Sequence, residues 1–360
     1  MGKKRTLAYA VITAILAALI YMQFRTWKNF DWPLFWGQFK LVSPLLVFNG
    51  VVLIYISHWL RARRWKIFLR RVRKDVSSAS LFPPTLIGFA GLALLGRAGE
   101  LIRPYLIARR TNLSFPSQLA AWAVERIFDA GAFTVLIVLA IFLPTQIRFL
   151  PNPEIYPRLR VAGFLLVALV AGLALGAVTV SKYGEVLAAW IERRFSRVAA
   201  DAGHRLAQRL REFQGGLDTI HSPVAFLELS VVSVVMWGII ALAYREVISA
   251  YGSALANVRG AQVLLLTGSS MLGSLIQLPG VGGGSQLATI SALEHIFHAS
   301  HELAASCGIL LWLVTFVSIV PAGLLLAHRE RLSLRRLSEE SEQEETQAEF
   351  PAHPVTGSVK

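Results

Sequence analysis

Two short runs place chemically capable residues in an apolar setting where charge is costly. The first is Gly96-Arg97-Ala98-Gly99-Glu100, followed by Arg103 and Pro104. Its glycines permit sharp turns, and Arg97, Glu100 and Arg103 recur at i, i+3 and i+6, which on a helix is one face. The second is Glu125-Arg126 with Asp129 one turn further, inside the apolar stretch Leu119–Leu143. A guanidinium there needs partners, and both carboxylates are in reach. The chemistry this suggests is arginine recognition of a phosphate or carboxylate, with the acids balancing the charge when no ligand is bound. An internal ion cluster that ties helices together uses the same residues, so both readings stand. With Ser114 as cap and Pro116 in the first turn, Arg126 falls about eleven residues into its helix, roughly 16 Å along the axis.

A third run, Leu278-Pro279-Gly280 with Gly282, Gly283, Gly284, Ser285 and Gln286, is not a nucleotide loop, because no Gly-Lys-Ser/Thr ending follows. A proline-glycine break between apolar segments fits the tip of a hairpin. Backbone N–H groups leading into a helix N-terminus there could hold an anion, or the run could be a hinge without a ligand. His295, His298 and His301, near Glu294 and Glu302, share a helix face. No His-Glu-x-x-His pattern accompanies them, and no metal or other cofactor is expected.

The elements that must position these residues are membrane helices. Of 360 residues, 54% are hydrophobic and only 16% charged, with mean hydropathy +0.54. A soluble domain of this size needs about a quarter charged residues to face water. The net charge of +14 is attributed to cytoplasmic loops and anionic lipid headgroups rather than to nucleic acid. With Cys307 the single cysteine, a disulfide framework is excluded.

Leu7–Phe24, Pro44–Leu60, Leu119–Leu143, Val161–Val180, Val224–Tyr244 and Leu303–Ala327 are expected to span. Basic residues concentrate after the second span (Arg61, Arg63, Arg64, Lys66, Arg70, Arg71, Arg73, Lys74), after Val161–Val180 and after the last span, which places both termini in the cytoplasm. Leu81–Gly96 then has both ends inside and Ala261–Pro279 both ends outside, so each is expected to dip in and return. The all-α architecture so derived has about six spans and two re-entrant hairpins in an inverted-topology repeat, residues 7–143 and 161–327 within a membrane domain of residues 1–330. An ungapped offset of 186 sets Glu100 on Gln286 and Gly96 on Gly282, in agreement with the topology. Residues 183–221 read as a cytoplasmic stretch, amphipathic over 185–211, lying at the headgroups or packing on the protein. The acidic end, 338–360, is expected to be disordered.

Gly99-Glu100 with Arg103, Asn112-Leu113-Ser114, the Glu125-Arg126-x-x-Asp129 box and Leu278-Pro279-Gly280 with its glycines resemble the transmembrane domain of the lysylphosphatidylglycerol synthetase/flippase family, over most of residues 7–327. The resemblance implies a polytopic helical domain of the cell (inner) membrane that moves a lipid between leaflets. Gln286 stands where the family usually has glutamate. The chain has no room for the family's soluble transferase domain, so lipid aminoacylation is not expected.

The expectation is therefore a translocase of a phosphate-bearing lipid, with Arg97, Arg103 and Arg126 facing the phosphate, Glu100 and Asp129 positioning them, and Glu125 in the same substrate-binding site. Gly99, Pro279, Gly280, Gly283 and Gln286 complete the lining. No residue is assigned a catalytic role. The rival is a membrane enzyme transferring a group to or from a lipid carrier, with Glu100, Glu125 or Asp129 as base.

Overall fold

The computed structural model describes residues 30–142, 156–195, parts of 203–214, 223–274 except Asn257 and Arg259, and 283–349. The expected first span, Leu7–Phe24, lies outside them, as do Pro279 and Gly280. All regular structure among the described residues is helical. In chain order the helices are α1 (Trp32–Leu41), α2 (Pro44–Leu69), α3 (Ser78–Leu95), α4 (Ile102–Thr111), α5 (Phe115–Phe142), α6 (Tyr156–Phe195), α7 (Pro223–Ser249), α8 (Ala261–Gly273), α9 (Gly283–His295), α10 (His301–Thr315), α11 (Val320–Arg329) and α12 (Leu334–Glu349). Within these, Pro44–Leu69, Ser78–Thr111, Arg160–Val180, Pro223–Ser249 and His301–Arg329 are long and apolar enough to cross a bilayer. The chain is a polytopic, all-helical membrane protein.

Lipid explains the outward faces. On α2 the exposed side chains Leu45, Phe48, Val52, Ile56 and Trp59 recur every three or four residues. The opposite side of the same helix buries Ile54, His58, Arg61 and Trp65. The α6 segment 160–180 is almost entirely exposed and almost entirely apolar. In water such surfaces would associate; in a bilayer they are solvated.

Ser78–Thr111 is not one crossing. A side chain at Gly99 would strike the Gly91 backbone, and one at Gly88 would meet Cβ of Arg103 at 2.5 Å. In a continuous helix, residues fifteen apart would be separated by about 22 Å. The chain instead turns over through a 3-10 segment, Gly96–Leu101, and α4 runs back along α3. Gly96 ends α3 at φ +66°, a conformation that L side chains rarely adopt. The hairpin expected within Leu81–Gly96 is thus only its first arm. The second hairpin is enlarged in the same way: α8 takes up Ala261–Gly273, and α9, beyond Pro279, is the returning arm, with Gly273 closing on the Gly284 backbone.

Each hairpin leans on the other half of the chain. Gly323 of α11 sits against Leu86 and Ala90 of α3, while Gly268 of α8 sits against Phe133 and Ile137 of α5. Between them α2 and α7 form the most extensive helix pair, close enough at Gly50 that an added Cβ would lie 3.1 Å from Val247.

Two expectations outside the membrane helices change. The stretch beginning at 183 continues α6 unbroken to Phe195, and at about 1.5 Å per residue the whole helix is about 60 Å long. Arg211 folds back on its end, pairing with Glu185 and Glu192 at 2.9 Å. Residues 338–349, expected to be disordered, belong to α12, which buries Leu337 and Ser341 against the first hairpin. Ser338 donates to the Ala98 carbonyl, and Tyr105 donates to Glu340 at 2.8 Å.

A buried arginine–carboxylate cluster as candidate functional site

Glu125 and Asp129, one turn apart on α5, are both buried. Around them converge Arg61 and Arg64 from α2, Arg103 from α4 and Arg126 from α5 itself. Arg64, fully buried, bridges the two acids: one terminal nitrogen donates to Asp129 at 2.7 Å and to Ser233 of α7 at 2.9 Å, and the other donates to Glu125 at 2.5 Å. Arg103 makes a two-pronged pair with Glu125, and its guanidinium lies 4.4 Å above the Trp65 ring and 5.2 Å from that of Phe89. Trp237 of α7 donates to Asp129 at 3.1 Å. Planar guanidinium forks suit this shared bidentate geometry, which a lysine would not reproduce.

Four guanidiniums against two carboxylates leave an excess of two positive charges. The pairing is also uneven. Arg61 approaches Asp129 Oδ2 only to 3.7 Å, and Arg126 comes to 3.1 Å off the line of its N–H, so that oxygen accepts no hydrogen bond. Nε and Nη1 of Arg61, Nε of Arg64 and Nδ1 of His58 are buried without a hydrogen-bond partner. Arg61 instead lies over Phe89, 4.9 Å from the ring centre, beside His58. Buried donors left unmade cost free energy, more so on charged groups.

The expected site residues divide. Arg103, Glu125 and Asp129 come together as foreseen. Arg126 joins them but is not enclosed: its side chain is 45% exposed. Arg97, Glu100 and Arg103 do not share a face, because the 3-10 turn leaves Arg97 exposed and Glu100 half-buried while Arg103 points inward. Gly99 acts as the contact point between hairpin arms. Gly283 opens α9 at φ +59°, and Gln286 follows on the same helix, whose main neighbours are α8 and α10 rather than the arginine-bearing helices. Pro279 and Gly280 are outside the described residues. Of the histidines, His301 pairs with Glu294, and no group of three metal-ligating side chains occurs among the described residues.

Sequence reasoning placed Arg61 and Arg64 in a basic cytoplasmic loop, and this is corrected. Helix α2 continues to Leu69 and buries both. The available signal was periodicity: Ile54, His58, Arg61, Trp65 and Phe68 continue one buried stripe, while Arg63 and Arg70 fall on the exposed side.

A separate cavity of about 790 Å³ lies further along α5 and α7, lined by Leu139, Gly238, Ala241, Arg245, Leu255 and Val263 among others. Its walls are mostly apolar, and it does not include the charged cluster.

The fold and cluster define a multi-pass membrane protein with a polar core inside its helices. Residues 6–323 match the lysylphosphatidylglycerol synthase TM region family, and the chain belongs to that family. It is 26% identical over 296 residues to a UPF0104 membrane protein of Methanothermobacter thermautotrophicus, covering 79% of this chain and 85% of that protein. A shorter stretch of 101 residues is 34% identical to the glycosyltransferase AglD of Haloferax volcanii, covering 27% of this chain and 16% of that protein. No solved structure matches the chain.

Proposed function

We propose that the protein is a translocase that moves a phosphate-bearing lipid between the leaflets of the cell membrane. The family's name ties its transmembrane region to a phospholipid synthase, which supports a function on membrane lipid. The observation that carries the reading is the cationic excess of the cluster, with arginine N–H groups left over after the two acids are served. An anionic headgroup would complete those hydrogen bonds, and Arg126, half-exposed, is its point of entry. The acyl chains would stay in the lipid that covers α2, α6 and α7. The two hairpins, each leaning on the opposite half, support an inverted-topology repeat in which both dip from opposite faces and rocking exposes one site alternately. Basic loops after α2 and α11 support a cytoplasmic position for the termini.

Group transfer to or from a lipid carrier is the second reading, favoured by the partial match to a glycosyltransferase. In that reading Glu125 is excluded as the general base, because both of its oxygens are held by arginines, and Asp129, whose Oδ2 accepts no hydrogen bond, is the acid left with a free lone pair.

The test is reconstitution into vesicles carrying a fluorescent phosphate-bearing lipid in both leaflets, with a membrane-impermeant quencher added outside. The wild type should expose essentially all the label and Arg126→Ala only the outer half. Quenching that stops at half with the wild type rejects translocation. Chemical conversion of the lipid by purified protein would favour the transferase.

A further inference from the structure

We infer that the headgroup recognised by the cluster carries two negative charges: a lipid phosphate monoester or diphosphate rather than a singly charged phosphodiester. The inference rests on the translocase reading of the same site and specifies its substrate class. The charged groups facing the site are Arg61 and Arg64 on α2, Arg103 on α4, and Glu125, Arg126 and Asp129 on α5. Helix α7 contributes the neutral Ser233 and Trp237, and among the described residues His58 is the further titratable neighbour. The acids neutralise two arginines and leave an excess of two positive charges.

That excess is located. The terminal nitrogens of Arg64 and Arg103 are engaged by Glu125 and Asp129 through short hydrogen bonds, which leaves Nε of Arg64 as the one buried donor of this pair without a partner. Arg61 and Arg126 are the two that approach Asp129 Oδ2 without bonding to it. Arg61 is buried with Nε and Nη1 unpartnered. Arg126 makes only a long hydrogen bond to Glu125, at 3.4 Å, so a phosphate beside these two guanidiniums supplies acceptor oxygens to the unpartnered donors of Arg61 and charge for both cations. Around the buried Arg61 attraction falls off slowly and an unmatched charge is expensive, while the half-exposed Arg126 adds attraction that water partly screens. A phosphodiester brings one charge and leaves one cation uncompensated; a monoester above its second ionisation, or a diphosphate, compensates both. A monoester's second ionisation lies near pH 6, which supplies an internal control.

The experiment measures binding to the full-length protein in neutral detergent micelles, with phosphatidic acid as monoester, phosphatidylglycerol as phosphodiester, phosphatidylcholine as neutral control and inorganic phosphate as free anion. At pH 8, phosphatidic acid should bind at least about tenfold tighter than phosphatidylglycerol. The advantage should vanish as pH falls through about 6, following the lipid's own ionisation. Protonation of His58 would add positive charge and strengthen binding on acidification, the opposite sign. Arg61→Gln, which breaks no hydrogen bond, should bring the two lipids to within about twofold by removing one excess charge. Equal binding of both lipids by the wild type overturns the dianion inference and leaves an anionic-lipid site standing. No binding of either lipid overturns the translocase reading with it. Displacement of phosphatidic acid by an equal concentration of inorganic phosphate would assign the site to a free anion and overturn the lipid as its source.

Discussion

The two helical hairpins share a plan and differ in chemistry. Both close through glycine, Gly99 on Gly91 in the first and Gly273 on Gly284 in the second. The first delivers Arg103 to a cluster of six ionic side chains. The second is lined by neutral hydroxyls: Thr267, Ser270, Ser285 and Thr289 are buried, and Tyr244 donates to Ser270 at 2.7 Å. Closing a hairpin needs only backbone proximity, so both halves meet it with small residues. Holding an anion needs charge, and charge inside a membrane is tolerated only where partners surround it. Among the described residues, the buried ion cluster is built on the first half, with the second half contributing the neutral Ser233 and Trp237.

The comparison can be broken by mutation. Arg64→Leu removes the bridge between Glu125 and Asp129 and should cost about 3–5 kcal/mol, because two buried carboxylates lose their best-aligned partner. Thermal unfolding of the detergent-solubilised protein would show it; an unchanged midpoint would mean the cluster is hydrated rather than dry. Gly99→Ala and Gly273→Ala should each cost about 3 kcal/mol or more, since the colliding atoms are backbone and cannot turn aside. Gly172→Ala on α6, with nothing near its Cβ, should leave the yield of folded protein unchanged. Unequal damage at Gly99 and Gly273 would show that the two closures are not equivalent.

Smaller effects sharpen the contrast. Ser270→Ala takes the acceptor from the Tyr244 hydroxyl and should cost about 1–2 kcal/mol, with no change in the affinity for phosphatidic acid. A loss of affinity comparable to that of Arg61→Gln would move the anion site toward the second hairpin. Glu340→Gln weakens the contacts of α12 with Tyr105 and Arg109 at a partly exposed position and should cost less than about 1 kcal/mol. Its readout is faster proteolysis of the C-terminal helix, diminishing at high salt as the wild-type ion pair is itself screened.

Much of this architecture was legible in the chain. The apolar runs at Pro44, Val161, Val224 and Leu303 became helices because twenty or so apolar residues have few other ways to satisfy their backbone in lipid. The glycines around 96–99 marked where the first hairpin turns. Hairpin length was misread, since the first returning arm was taken for a basic flanking stretch: residues 102–111 carry three arginines and end on a threonine, which mimics a loop. The acidic composition after 338 suggested disorder, yet a stripe containing Leu337 and Ser341 was enough to dock a helix.

Sequence by itself determined that Glu125, Arg126 and Asp129 share one helix segment, because spacing along a helix is fixed by its 3.6-residue period. It could not determine which arginines meet the acids. Arg64 lies 61 residues from Glu125 and Arg103 lies 22 away. In composition Arg61 and Arg64 are indistinguishable from Arg63, Arg70 and Arg71, which the fold leaves exposed or partly so. An arginine's long side chain suits headgroups or a buried carboxylate equally well. The choice between them is made only when α5 and α7 pack on α2 and bring Glu125, Asp129 and Ser233 against one of its faces.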